Sequence, residues 1–225
     1  RTGVQVRYGG PLRGRLVSQS MRFLIGLHKE TQDRVKIDDG VYAEHFQPHF
    51  DRLGRWFAAA ELQALEWRIS RLNGFCREQV LGADLPIVLR QGDFSLTNCL
   101  FDPRTLKLAV IVDWDLSETR GLPLTDAIRL LLHANQRSRG ANGRLLEVSL
   151  RGVPELLSSP EHRELYADYM RALNIEARLF TPLAVVYWAQ LVNRHYAVPR
   201  CRWNVAWRGE NLLALLERWE KHLKL

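Results

Sequence analysis

Asp93 and Asn98 stand five positions apart in the stretch R90-Q-G-D-F-S-L-T-N-C99, and Asp113 closes an apolar run a little further on. A carboxylate, a carboxamide and a second carboxylate at this spacing suit phosphoryl transfer: a D-x-x-x-x-N loop, then a strand that ends in Asp. The transferred group leaves little covalent work to a protein. Its oxygens must be neutralised and the acceptor hydroxyl must be aligned. Magnesium is a hard cation that takes oxygen ligands, so Asn98 and Asp113 suit it, with ATP or another nucleoside triphosphate as the donor. Asp93 would accept a hydrogen bond from the substrate hydroxyl and take its proton. The bland alternative is an Asx-rich loop that satisfies only its own backbone.

The surrounding pattern predicts the elements that must hold these groups. Pro86 to Leu89 reads as a strand over 87–89 before the loop, and a second strand covers 99–101 after it. A turn follows at Asp102-Pro103-Arg104-Thr105, then a strand over 106–112 that delivers Asp113. Apolar residues at Leu124, Ala127, Ile128, Leu131 and Leu132 predict a helix over 124–134. Further helices are expected over 16–28, 57–80, 161–173, 182–197 and 210–223, with mixed character over 41–54 and an exposed basic loop over 136–145. Residues 4–8 alternate and read as a strand ended by Gly9-Gly10-Pro11. No linker divides the chain, so residues 1–225 read as one α+β unit, mostly helical, with a short β-hairpin at the catalytic region.

The chain resembles the C-terminal lobe of the aminoglycoside phosphotransferase and choline kinase-like group, which has a protein-kinase-like fold. The stretches that carry the likeness are Q91-G-D-F-S-L-T-N-C-L-F-D102, V110-I-V-D-W-D115 and G121-L-P-L-T-D126, with Leu27-His28 and Thr31 as an early helix end. Together they run from about residue 24 to 132. The resemblance implies Asp93 as the catalytic base, Asn98 and Asp113 as magnesium ligands, and Asp126 as a structural acid that braces the loop. Asp115 is left as either a neighbour of the metal or a surface or capping acid. Where the family usually has His, this chain has Gln91, whose amide can both donate and accept beneath the loop.

No Gly-rich loop and no strand lysine of the V-A-I-K kind precedes residue 90. The likeness therefore implies that most of an N-terminal lobe is missing, with residues 1–10 as its last strand and the hinge. Such a fragment is expected to fold without appreciable turnover. The expected activity of the full-length protein is an ATP- and magnesium-dependent phosphotransferase acting on a hydroxyl of a sugar, amino alcohol or related metabolite. The alternative is a non-catalytic, kinase-like binding module.

Composition narrows the partners. The formal charge of +7 favours anionic ones. Arg194, Arg200, Arg202 and Arg208 are interleaved with Tyr196, Trp203 and Trp207, so residues 194–208 offer a solvated face, an anionic-ligand site or a membrane surface. Charge alone is a thin basis for nucleic-acid binding, which is not expected. Cys76, Cys99 and Cys201 form no pattern and read as buried free thiols of a cytoplasmic protein. The histidines show no zinc spacing, and His28 reads as a helix-end residue packed under the site.

Overall fold

The computed structural model describes residues 11–59, 66–138, 160–198 and 212–225. The strand and hinge expected over 1–10 lie outside the described residues, as do 139–145 of the basic loop and 199–208 of the Arg/Trp stretch. The element order is α1 (Pro11–Thr31), β1 (Asp33–Lys36), α2 (Asp39–His45), α3 (Gln47–Ala59), α4 (Glu66–Val80), β2 (Asp84–Arg90), β3 (Cys99–Phe101), β4 (Leu108–Ile111), β5 (Glu118–Gly121), α5 (Thr125–Ser138), α6 (Pro160–Ala172), a 3-10 turn (Ala177–Leu179), α7 (Phe180–Tyr196) and α8 (Ala214–Leu223). The protein is α+β and mostly helical, and the described residues form two small sheets. One sheet has the order β1-β2-β5 and the other is the hairpin β3-β4. Among the described residues no helix is long and apolar enough to cross a membrane.

The sequence offers no linker, yet backbone contacts divide the chain into two compact units. The described parts of the first fall within Arg1–Arg34, Pro86–Leu145 and Leu156–Ala177; those of the second fall within Val35–Leu85 and Arg178–Leu225. Among the described residues the chain passes between units inside β1, inside β2 and within the 3-10 turn, where no Gly- or Pro-rich stretch marks the crossing.

In the first unit α1 packs on α5, α6 and β4. Its inner stripe is Leu16, Ser20, Leu24 and His28, each 0 % exposed and each four residues from the last, so the four share one face. Each of the two polar members makes a side-chain hydrogen bond. The Ser20 hydroxyl donates to Cys99 Sγ at 3.6 Å, which ties α1 to the start of β3. His28 Nδ1 lies 2.6 Å from the Tyr169 hydroxyl of α6, and that hydroxyl accepts the Leu124 N–H at 3.0 Å. Pro11 opens the helix, where its missing N–H is not needed.

In the second unit α3 packs on α2, α4 and α7, and α4 packs on α7. Asp38 caps α2 by accepting the Val41 N–H at 2.8 Å. Trp188 and Trp219 are fully buried. Arg68 grips Glu220 with a two-pronged contact, Nε to Oε1 at 2.7 Å and Nη2 to Oε2, and this holds α8 to α4.

Of the helix expected over 57–80, residues 57–59 fall in α3 and 66–80 form α4, while 60–65 lie outside the described residues. The mixed stretch 41–54 is helical, because Pro48 sits in the first turn of α3, where proline is tolerated. Two short strands, β1 and β5, have no counterpart in the sequence expectation.

Burial holds His28 well below its usual value of 6.5, at about 3, against a weaker upward pull from the Leu89 backbone. The folded protein therefore keeps this ring neutral while the unfolded chain protonates it. Stability from this group is complete above pH 6.5 and is lost as pH falls toward about 3. The expected slope is about 1.4 kcal/mol per pH unit in that window. Urea unfolding of the parent and of His28→Gln at pH 6.0 and 5.0 checks it. The parent loses more stability over that step than the variant; equal losses would contradict the assignment.

Candidate functional site

The loop between β2 and β3 spans residues 91–98 and is anchored by its own apolar side chains. Phe94 and Leu96 are 0 % and 1 % exposed, and the Phe94 ring stacks on Phe23 of α1 with centroids 6.4 Å apart. Asp93 and Asn98, flanking this buried middle, are half-buried. The hairpin that follows has the register Cys99↔Ile111, Leu100↔Val110 and Phe101↔Leu108. Asp102 shapes its turn by accepting the N–H groups of Arg104 and Thr105, each at 2.9 Å. Strand β4 stops at Ile111, so Asp113 stands just beyond the strand rather than in it. It adopts a left-handed backbone with φ +62° and is exposed.

Gln91 is the hub. Its side chain is fully buried. Nε2 donates to the Val112 carbonyl at 3.1 Å and to the Asp113 carbonyl, while Oε1 accepts the Asp93 N–H at 2.8 Å. One amide thus links the segment bearing Asp93 to the segment bearing Asp113, which uses its capacity both to donate and to accept. Asn98 Nδ2 donates to the Asp93 carbonyl at 3.0 Å, which closes the loop on itself. The Val112 N–H donates to the Asn98 carbonyl at 3.0 Å and so joins the loop's end to the segment after β4.

Asp126 braces the loop from α5. It is 1 % exposed, and its two carboxylate oxygens accept the Gln91 N–H at 2.6 Å and the Gly92 N–H at 2.9 Å. A buried carboxylate that receives two backbone donors is well satisfied. The close approach requires Gly92. Its φ is +90°, and a Cβ there would lie 2.1 Å from the Leu116 carbonyl oxygen. All five residues singled out by spacing and resemblance, Gln91, Asp93, Asn98, Asp113 and Asp126, therefore belong to one hydrogen-bonded cluster within the first unit.

Sequence reasoning missed one member. Arg129 lies one turn after Asp126 on α5, and its Nε donates to Asp93 Oδ1 at 2.6 Å. The side chains of the pair are 20 % and 27 % exposed. The available signal was an arginine three residues after the bracing acid, hence on the same face of the helix.

The residues fit a magnesium ion in donor chemistry. Asn98 commits Nδ2 to the Asp93 carbonyl, which leaves its amide oxygen for a cation, and Asp113 adds a carboxylate on the exposed side. Among the described residues no group of three or more His, Cys, Asp or Glu side chains could hold a metal by itself. A site of one carboxylate and one carboxamide is what magnesium uses when a phosphate substrate and waters complete its shell. Asp115 is exposed and stands apart from the hydrogen bonds that build the cluster.

The thiol of Cys99, next to Asn98, is buried and pushed up to about 11, with a small opposing effect from the Ser20 hydroxyl. Its burial makes it a packing residue of β3. No family model matches the chain, and no curated protein or solved structure matches it either.

Proposed function

We propose that the chain carries the catalytic loop of an ATP- and magnesium-dependent phosphotransferase whose acceptor is a hydroxyl of a small molecule. The observation that carries the reading is the cluster itself. Three groups with defined tasks in such chemistry, Asp93, Asn98 and Asp113, are joined through the Gln91 amide and the Asp93 carbonyl and braced by Asp126. Asp93 takes the acceptor proton, and Asn98 and Asp113 hold the metal. Bound there, magnesium would neutralise charge on the donor phosphates. Asp126 keeps the loop backbone in place, and Gln91 fixes the spacing between the base and the metal ligands. The reading implies a cytoplasmic protein, since ATP is available there.

A second reading, a kinase-like module that binds without catalysis, draws on the Asp93–Arg129 pair, since that contact occupies one oxygen of the base.

The test uses the full-length protein with ATP, magnesium and a panel of sugars and amino alcohols. Expected is a phosphorylated acceptor in the wild type. Asp113→Ala is expected to abolish magnesium-dependent nucleotide binding, because a metal ligand also holds the ground-state complex. Magnesium-dependent binding without turnover on any acceptor would favour the second reading. Neither binding nor turnover would sink both.

A further inference from the structure

The cluster leaves one half-buried charge without a task. Arg129 meets the reacting side chain of the loop, while Asp126, one turn earlier on the same helix, holds the loop backbone at Gln91 and Gly92. A single turn of α5 thus grips both the backbone and the reacting carboxylate. An aspartate has a broad, soft torsion at its carboxylate, so burial of the neighbours does not by itself fix the plane of the two oxygens. A charge-assisted bond from a guanidinium Nε to one oxygen does.

We propose that Arg129 is a positioning residue for phosphoryl transfer: its guanidinium orients the Asp93 carboxylate toward the acceptor hydroxyl. This rests on the phosphotransferase reading above. In the step it serves, the acceptor oxygen forms a bond to the γ-phosphorus and its proton passes to Asp93. The bond from the γ-phosphorus to the bridging oxygen breaks, and its electron pair stays on the departing nucleoside diphosphate. Arg129 touches neither substrate. It acts through Asp93, and it does so from the same turn of α5 whose Asp126 holds the loop backbone.

Orientation is worth much in rate and little in substrate binding. Displacing a reacting group by about 1 Å can cost about 10²-fold in rate. In the full-length protein, with an acceptor that the wild type phosphorylates, Arg129→Gln is expected to lower kcat by about 10²-fold and leave the nucleotide KM unchanged. Arg129→Lys, which keeps a cationic donor, recovers part of the loss. In an Asp93→Asn background the same Arg129→Gln change has no further effect on residual turnover, because the group it orients is gone. An unchanged kcat, a change confined to KM, or equal losses in the two backgrounds would each overturn the proposal. If Arg129→Gln does not fold, Arg129→Lys decides. A lower kcat at an unchanged denaturation midpoint supports the role, and wild-type kcat removes it. Absence of wild-type turnover on every acceptor overturns the phosphotransferase reading and this proposal together. An active wild type with an indifferent Arg129→Gln overturns this proposal alone.

Discussion

Asp93→Asn should lower kcat by about 10²- to 10⁴-fold, the range for losing a positioned general base, while nucleotide affinity stays at the parent value. The change is nearly isosteric, and the structure gives reason to expect a folded variant. The backbone of residue 93 is held by two contacts that do not involve its side chain: its N–H donates to Gln91 Oε1, and its carbonyl accepts Asn98 Nδ2. An asparagine oxygen can still accept from Arg129 Nε. What disappears is a carboxylate that can take a proton. Steady-state kinetics with the full-length protein separate the two quantities. Wild-type turnover in the variant would remove Asp93 from the chemistry.

Gly92→Ala should be among the most damaging single changes in the chain. The new methyl would sit 2.1 Å from the Leu116 carbonyl oxygen and 2.9 Å from its carbonyl carbon, and φ at this position is +90°. The obstacle is backbone, so no rotamer change relieves it. A side chain in this backbone region costs of order 1–3 kcal/mol before the clash is counted. The loop must move, and both bonds to Asp126 move with it. Loss of at least about 3 kcal/mol is expected, together with loss of turnover. Gly74 makes the control. It lies inside α4 with no heavy atom within 4 Å of an added Cβ. Gly74→Ala should stabilise by about 0.5–1 kcal/mol. Thermal or urea unfolding of the two variants should move in opposite directions. A Gly92→Ala protein as stable as the parent would mean that the loop does not need this close approach.

The candidate site was legible because its chemistry is written in short spacings. Asp93 and Asn98 share one loop, and Asp113 and Asp126 follow landmarks that can be counted along the chain. The structure puts these residues and Gln91 into one cluster. The two-ended use of the Gln91 amide was also expected; the structure adds its partners, the Val112 and Asp113 carbonyls on one side and the Asp93 N–H on the other. Arg129 was not legible in this way. It sits in a helix whose apolar period drew attention to the core face, and a lone arginine on such a helix reads as solvated. Only the fold brings it to Asp93.

Helix existence was readable from apolar period, and boundaries were less so. Gly14 and Gly26 lie inside α1, and Pro48 and Gly54 inside α3, so residues that often punctuate a chain do not end these helices. The strands β1 and β5 have sequences DRVK and ETRG, largely exposed and without apolar alternation. Such strands exist because β2 offers them a partner, which is information no local window contains. The division into two units was hidden as well, since its crossings among the described residues lie inside two paired strands and a 3-10 turn.

Two buried thiols give each unit its own clock. Cys99 begins β3 in the first unit and Cys76 lies in α4 of the second; both are fully buried, and burial raises both thiols above the ordinary range. A thiol-reactive reagent can reach such a sulfur only when the surrounding structure opens, so its labelling rate measures the free energy of that opening. Site-resolved mass spectrometry follows each cysteine separately and needs no mutation. Rates that respond to urea with the same slope would mean that the units open as one cooperative body. Different slopes would give the stability of the catalytic loop's unit independently of the other, before any substrate is known.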